Sequence, residues 1–375
     1  MARPIVLIFH RPASGGDAPL VRLLADVRRR LADHQARLFE RAGAGDVRLV
    51  EAAARSFGQA LAQVAPRGGG IIALGSGAVA RLTAADARRL VTTAAAGGRH
   101  ALTNNRYSSD ICAISDAAVL AHLPALPSDN ALPRWLEERA RFTVAEMPGR
   151  DRLALDLDSP LDVALAALAP GAPGWLKDVT AAANLTVPRR NELRRLAADP
   201  HAELLVFGRA GSTTLRWLER NVRCRVRFLS EERGLRASSP LAMAGPPPAG
   251  RHRPPRATIG RLLEQGGPDR LAEVVGELAD GAIVDSRVLL ADRLGADDGS
   301  WPTPNDRFAS DLQRAAEVSD GWLRRLTESA AGSRLPILLG AHTLVGPGVP
   351  LLLASAARRA APARRRPARA DDVIE

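Results

Sequence analysis

At 375 residues the chain is longer than one hydrophobic core usually serves, so two domains of ordinary size are expected. Its hydrophobic content of 46% places it among globular proteins, and an aromatic share of 3% leaves the cores to Leu, Val and Ala. The net charge of +11 comes almost wholly from arginine, with Lys177 the only lysine, and with abundant alanine this reads as a codon bias and argues against a nucleic-acid partner.

Strand-length apolar runs alternate with helix-like segments from the start: strands at 5–9, 47–50 and 70–75, helices at 20–42, 56–64 and 83–96. Thr83, three residues before Asp86, has the spacing of a capping pair. This alternation predicts an α/β fold, a three-layer, mostly parallel sheet between helices, with ligands beyond the strands' carboxyl ends. Three polar segments fall at such ends. The first is Gly75-Ser76-Gly77, which lets backbone amides approach a ligand. The second holds Asn104 and Asn105, with amides for a base or sugar, Arg106 for a phosphate, then Tyr107 and Asp110; its plain alternative is a polar turn. The third is Asp156-Leu157-Asp158-Ser159-Pro160-Leu161-Asp162. Two residues apart on a strand end, Asp156 and Asp158 would point the same way and suit Mg²⁺ held against a substrate phosphate. The alternative is that Asp158 or Ser159 caps the helix 160–168.

Pro and Gly at 169–174 close a first unit, 1–169. A second, smaller α/β domain is expected over 185–356: helix 191–198, strand 203–207, helix 212–222, strand 225–229, helix 259–278, strand 282–285, helices 305–314 and 320–331, and strand 336–340. Residues 238–255, rich in Pro, Gly and Arg, read as a mobile insertion, and 357–375 as a disordered, Arg-rich tail. Polar residues again gather at strand ends: Gly208 and Arg209, then 230–234, Asp285 and Arg287, and His342, with 306–311 as a further mixed-charge group, which points to a ligand cleft. A salt-bridged surface for Glu231 to Arg233 and a structural His342 are the alternatives. Cys112 and Cys224 sit in apolar runs without metal-ligand spacing, and the first nine residues lack a cleavable signal, so a reducing, cytoplasmic setting is expected. Residues 335–355 are apolar, but Pro336, His342, Pro347 and Pro350 interrupt them; a buried strand, a turn and a short helix fit better than a membrane span.

The order of strand, glycine turn, Asn104-Asn105 segment and Asp156-x-Asp158-Ser159-Pro160-x-Asp162 before a helix resembles the nucleotidyltransferase domain of the MobA-like family, over roughly residues 1–168. That family includes molybdenum-cofactor and phospholactate nucleotidyltransferases. The resemblance implies a GT-A type fold, a nucleoside triphosphate, Mg²⁺ on Asp156 and Asp158, and transfer of a nucleotidyl group to a small phosphorylated or hydroxylated acceptor. Arg11, Ser14 and Gly15 fall where the family's glycine-rich loop meets the triphosphate, but no lysine precedes Lys177 to grip it. Ser76 stands where the family has a metal-binding Asp, leaving Asp110 as the replacement carboxylate. Without a replacement, the implied alternative is a catalytically inactive nucleotide- or sugar-nucleotide-binding regulatory protein. The second half matches no family, and the sequence does not give the oligomeric state.

Overall fold

The computed structural model describes residues 3–51, 56–126, 129–231 and 255–354. The Arg-rich tail, nearly all of the 238–255 insertion, and Glu232, Arg233 and Gly234 lie outside the described residues. The first half runs β1 (Ile5–His10), α1 (Pro19–Arg41), β2 (Asp46–Glu51), α2 (Phe57–Val64), β3 (Ile71–Gly75), α3 (Ala84–Ala95), β4 (His100–Thr103), β5 (Ile111–Ile114), α4 (Leu132–Glu138), β6 (Thr143–Glu146), α5 (Arg150–Leu153) and α6 (Pro160–Ala167). Its six-stranded sheet has the order β2-β1-β3-β5-β4-β6 and is mixed: β5 runs antiparallel to both neighbours, against the direction of the rest. The reversal matters for position. Ile111 pairs with Leu74 and Cys112 with Thr103, so the residue before β5, Asp110, stands at the edge where β3 and β4 end.

Period-two alternation sorts the side chains of this sheet. Val6, Ile8, Ile72 and Leu74 pack beneath α1 and α3 with Phe39 and Leu90, while Leu7, Ile71 and Ala73 face Leu61, Leu120 and Trp135. The capping spacing at α3 forms a reciprocal box, Thr83 accepting from Asp86 N and Asp86 from Thr83 N, a feature worth about 1 kcal/mol. At α6 the cap is Ser159, whose hydroxyl accepts from Asp162 N, with Pro160 in the first turn.

The second half runs α7 (Gly174–Ala182), α8 (Arg190–Ala198), β7 (Glu203–Gly208), α9 (Ser212–Asn221), β8 (Arg225–Ser230), α10 (Thr258–Glu264), α11 (Leu271–Leu278), β9 (Gly281–Asp285), α12 (Ser286–Leu294), α13 (Pro304–Asp311), α14 (Gly321–Gly332), β10 (Ile337–Gly340), α15 (His342–Val345) and α16 (Val349–Leu353). Its four strands form an all-parallel sheet, β10-β9-β7-β8. The helix expected over 259–278 is two helices, because Pro268 opens a single 3-10 turn that lacks the donor to continue a helix. The strand, turn and helix expected at 335–355 are β10, α15 and α16, and no helix among the described residues is long and apolar enough to cross a membrane.

One hydrophobic cluster runs through both halves. Leu24, Val27 and Leu31 of α1 and Leu161 and Leu165 of α6 belong to the same buried group as Leu204, Val206 and Leu338 of the second sheet. Helix α1 packs on α13, and α6 meets α13, α15 and α16. The segment between the halves contains α7, which lies on α6 with Leu176 buried.

Candidate functional site

A cleft of about 3400 Å³ opens at the strand ends of the two sheets and is lined from both halves. Its first-half wall carries an acidic group set among Arg11, Arg28, Arg81, Arg134 and Arg152. Asp110, Asp129, Asp156 and Asp158 all line it. Asp156 and Asp158 lie on an extended segment between α5 and α6 and not on a strand end as the spacing predicts. The segment is held alongside the turn after β3: Leu157 N donates to Gly77 O, and Ala80 N to Leu155 O. The two side chains consequently have different surroundings. Asp156 is buried and accepts from Val79 N at 2.9 Å, fixing that β-branched residue at φ 45°. Asp158 is half exposed to the cleft and pairs with Arg28 at 2.8 Å. Arg28 Nε also donates to Leu157 O at 2.7 Å, passing so close to Gly77 that a Cβ there would lie 2.7 Å from it.

Asp110 is positioned by Asn104. Its Nδ2 donates to Asp110 Oδ2 at 2.7 Å and to Leu153 O, while its Oδ1 accepts from the backbone of Asp110 and Ile111. Asn104 is therefore a buried clamp, its amide fully engaged, and not a contact for base or ribose. Asn105 lines the cleft and accepts from Tyr107 N. Arg106 turns away, to Val144 O at 2.8 Å and Glu137 at 3.3 Å. Arg11 is exposed at the rim; Ser14 and Gly15 sit beside it in a turn closed by Asp17, with open space around Gly15. Gly75 and Ser76 line the floor.

Burial pushes the Asp110 carboxyl up to about 6 against the pull of its hydrogen bond from Asn104, and pushes Asp129 up to about 7, with Asp110 adding to the effect. Burial, then the charges of Asp110 and Asp158, hold Asp156 well above the usual carboxylate range. Asp156 and Asp110 lie close enough for each carboxyl to shift the other, and a hard cation would relieve the crowding of charge there. Among the described residues no three His, Cys, Asp or Glu side chains converge to hold a metal ion by themselves. A Mg²⁺ site needs only one or two carboxylates beside phosphate oxygens, and this donor set fits that demand. Ser76 supplies no charge: its hydroxyl meets His10 Nδ1 at 3.0 Å, and burial followed by Arg29 and Arg28 holds that imidazole below its usual range and neutral.

Asp162 lies beneath the acidic wall with no exposed surface. Its Oδ2 accepts from Asp158 N and Ser159 Oγ, and its Oδ1 has no hydrogen-bond partner. Burial, then Asp158 and Asp311, push its carboxyl from 3.8 up to about 8. Between these values the folded chain binds a proton that the unfolded chain releases, so this group makes stability fall as pH rises. Asp110 and Asp129 act in the same direction. We expect the urea midpoint to fall from pH 5 to pH 8, and Asp162→Asn to make that fall shallower; an unchanged slope would show that Asp162 is charged in the fold.

The second-half wall is basic, with Arg209, Arg216, Arg220, Arg287 and Arg307 against Glu231 and Asp298. Arg209 forks onto Asp285 at 2.6 and 3.1 Å, and Arg287 onto Asp311 at 2.5 and 2.7 Å. His342 lies on the same edge, close enough to help hold Asp285 ionised. Glu231 accepts from Thr258, and Asp306 from Ser319 N.

Sequence reasoning missed Arg28, Arg81 and Asp129. Arg28 is one arginine among several along α1, and its partner is 130 residues away. Arg81 lines the cleft without a carboxylate partner among the described residues, and burial, then Arg152, hold it below its usual range. The chain matches no protein-family model, and no curated protein and no solved structure is significantly similar to it.

Proposed function

We propose that the acidic wall binds a nucleoside triphosphate with Mg²⁺ and that the protein transfers a nucleotidyl group to a small phosphorylated or hydroxylated acceptor. The observation that carries this reading is the grouping of Asp110, Asp156 and Asp158 in the cleft where β3 and β4 of the first sheet end. A GT-A type first domain, followed by a second α/β domain, is consistent with a six-stranded sheet reversed only at β5. Asp158, with Asp110 and Asp156, would hold Mg²⁺, which would offset the charge of the triphosphate. Arg81 and Arg11 would meet the phosphates and Asn105 the base or ribose. An acceptor oxygen bonds to the α-phosphorus, the bond to the β-phosphate oxygen breaks, and pyrophosphate leaves. Catalysis is then positioning and charge neutralisation. Cys112 and Cys224 are free and buried, Cys112 with its thiol pushed up to about 12, which suits a reducing cytoplasm.

One observation favours the second reading, a nucleotide-binding protein without turnover: the neutral His10–Ser76 hydrogen bond stands where the family resemblance expects a carboxylate. Calorimetry with nucleoside triphosphates and pyrophosphate release decide between them. We expect Mg²⁺-dependent binding that weakens at least tenfold in Asp158→Asn, and turnover that disappears in Asp110→Asn. Binding without turnover, gained in Ser76→Asp, would favour the second reading. Binding indifferent to Mg²⁺ and to Asp158→Asn would reject both.

A further inference from the structure

We propose that the basic wall is a second binding site, for the phosphate group of a small phosphorylated molecule, and that Arg307 of α13 is the residue that grips it. Two of the carboxylates beside this wall are already matched. Asp285 and Asp311, both without exposed surface, are each taken by a forked guanidinium, Arg209 and Arg287. Such two-bond pairs use the carboxylate fully. Arg307 belongs to neither pair. Its guanidinium forms no ion pair or hydrogen bond among the described residues, and its Nε is buried without a partner. Its guanidinium carbon lies 5.7 Å from the centroid of the Trp301 ring, and the residue lines the cleft.

The groups that face Arg307 do not account for its charge. Arg287 opposes it, Asp298 and Asp311 favour it weakly, and burial with Arg287 outweighs both acids, so the guanidinium is held below its usual range. A half-buried cation kept beside a second cation, with an unmet donor, is unfavourable until an anion arrives. On the same wall, the first turn of α9, Ser212 to Thr214, carries no side-chain cap at Gly211. Its backbone donors follow β7, next to β9 at the point where the strand order of the parallel sheet changes direction. Ligands of open parallel sheets bind at such points. N–H and O–H donors on the same wall as a guanidinium suit a tetrahedral oxyanion better than a planar carboxylate.

Binding at this wall does not depend on the nucleotide reading. Only identifying the bound molecule with the acceptor of the proposed transfer would rest on that reading. The test uses the full chain without Mg²⁺ or nucleotide, titrated calorimetrically with inorganic phosphate and, separately, with acetate. We expect wild type to bind phosphate in preference to acetate, Arg307→Ala to lose at least tenfold in affinity, and Arg307→Lys to lie between. The melting temperature without phosphate separates the site from a packing role. A guanidinium whose one contact is the Trp301 ring adds little to the empty fold, so Arg307→Ala should melt close to wild type while losing the upward shift that phosphate gives. Absence of phosphate binding in wild type, equal binding in Arg307→Ala, or a lowered melting temperature with binding intact would each overturn the proposal. Equal affinity for acetate would overturn the phosphate assignment. Phosphate binding that persists when Mg²⁺-nucleotide binding fails would reject the nucleotide reading alone.

Discussion

Asp311→Ala will destabilise the protein by about 3–5 kcal/mol, the usual consequence of leaving one member of a buried ion pair alone. Asp311 has no exposed surface and Arg287 is 6% exposed, so neither charge has water to turn to. Arg287 also donates to Ser286 Oγ, which donates to Gly340 O, so the loss spreads from α13 through the end of β9 to β10. Urea unfolding measures the effect, and a double replacement, Arg287→Met with Asp311→Leu, should recover most of it because two apolar side chains leave no orphaned charge. A single-variant cost below about 1 kcal/mol would mean that water reaches the pair.

The second large effect concerns backbone geometry. Gly208 ends β7 at φ 125°, outside the range of L side chains, and a Cβ there would lie 2.2 Å from Asp285 Cβ. Gly208→Ala must shift the chain at one of the two central strands and part Arg209 from Asp285, at a cost of about 3 kcal/mol or more. The same unfolding measurement checks it. A loss under about 1 kcal/mol would show that the edge of β7 relaxes freely.

Local signals carried most of the secondary structure. Thr83 with Asp86, and Ser159 with Pro160, announce their helices because a cap is a contact over three residues. Among the elements without such a signal are β5 and α12. β5 is four residues long and buried throughout, so neither its period nor its direction can be read. α12 is buried from Ser286 to Asp292, and a helix enclosed on all sides shows no amphipathic stripe. The site divides in the same way. Asp110, Asp156 and Asp158 are legible as polar residues beside apolar runs. That Asn104 is consumed in fixing Asp110, that Arg106 leaves for Val144 and Glu137, and that Arg28 arrives from α1 are contacts between distant segments. The forked pairs of the second half are of this kind too; Arg209 and Asp285 are 76 residues apart.

Helices α1 and α6 pack against both halves, and this gives the cleft a fixed gauge. The distance from acidic wall to basic wall is set by the bulk of Leu24, Val27, Leu161 and Leu165, and changing it means repacking a solid interior. On the reading proposed above, two groups bound on opposite walls would be held as by a caliper, and a molecule would be admitted by its span as well as by its charge.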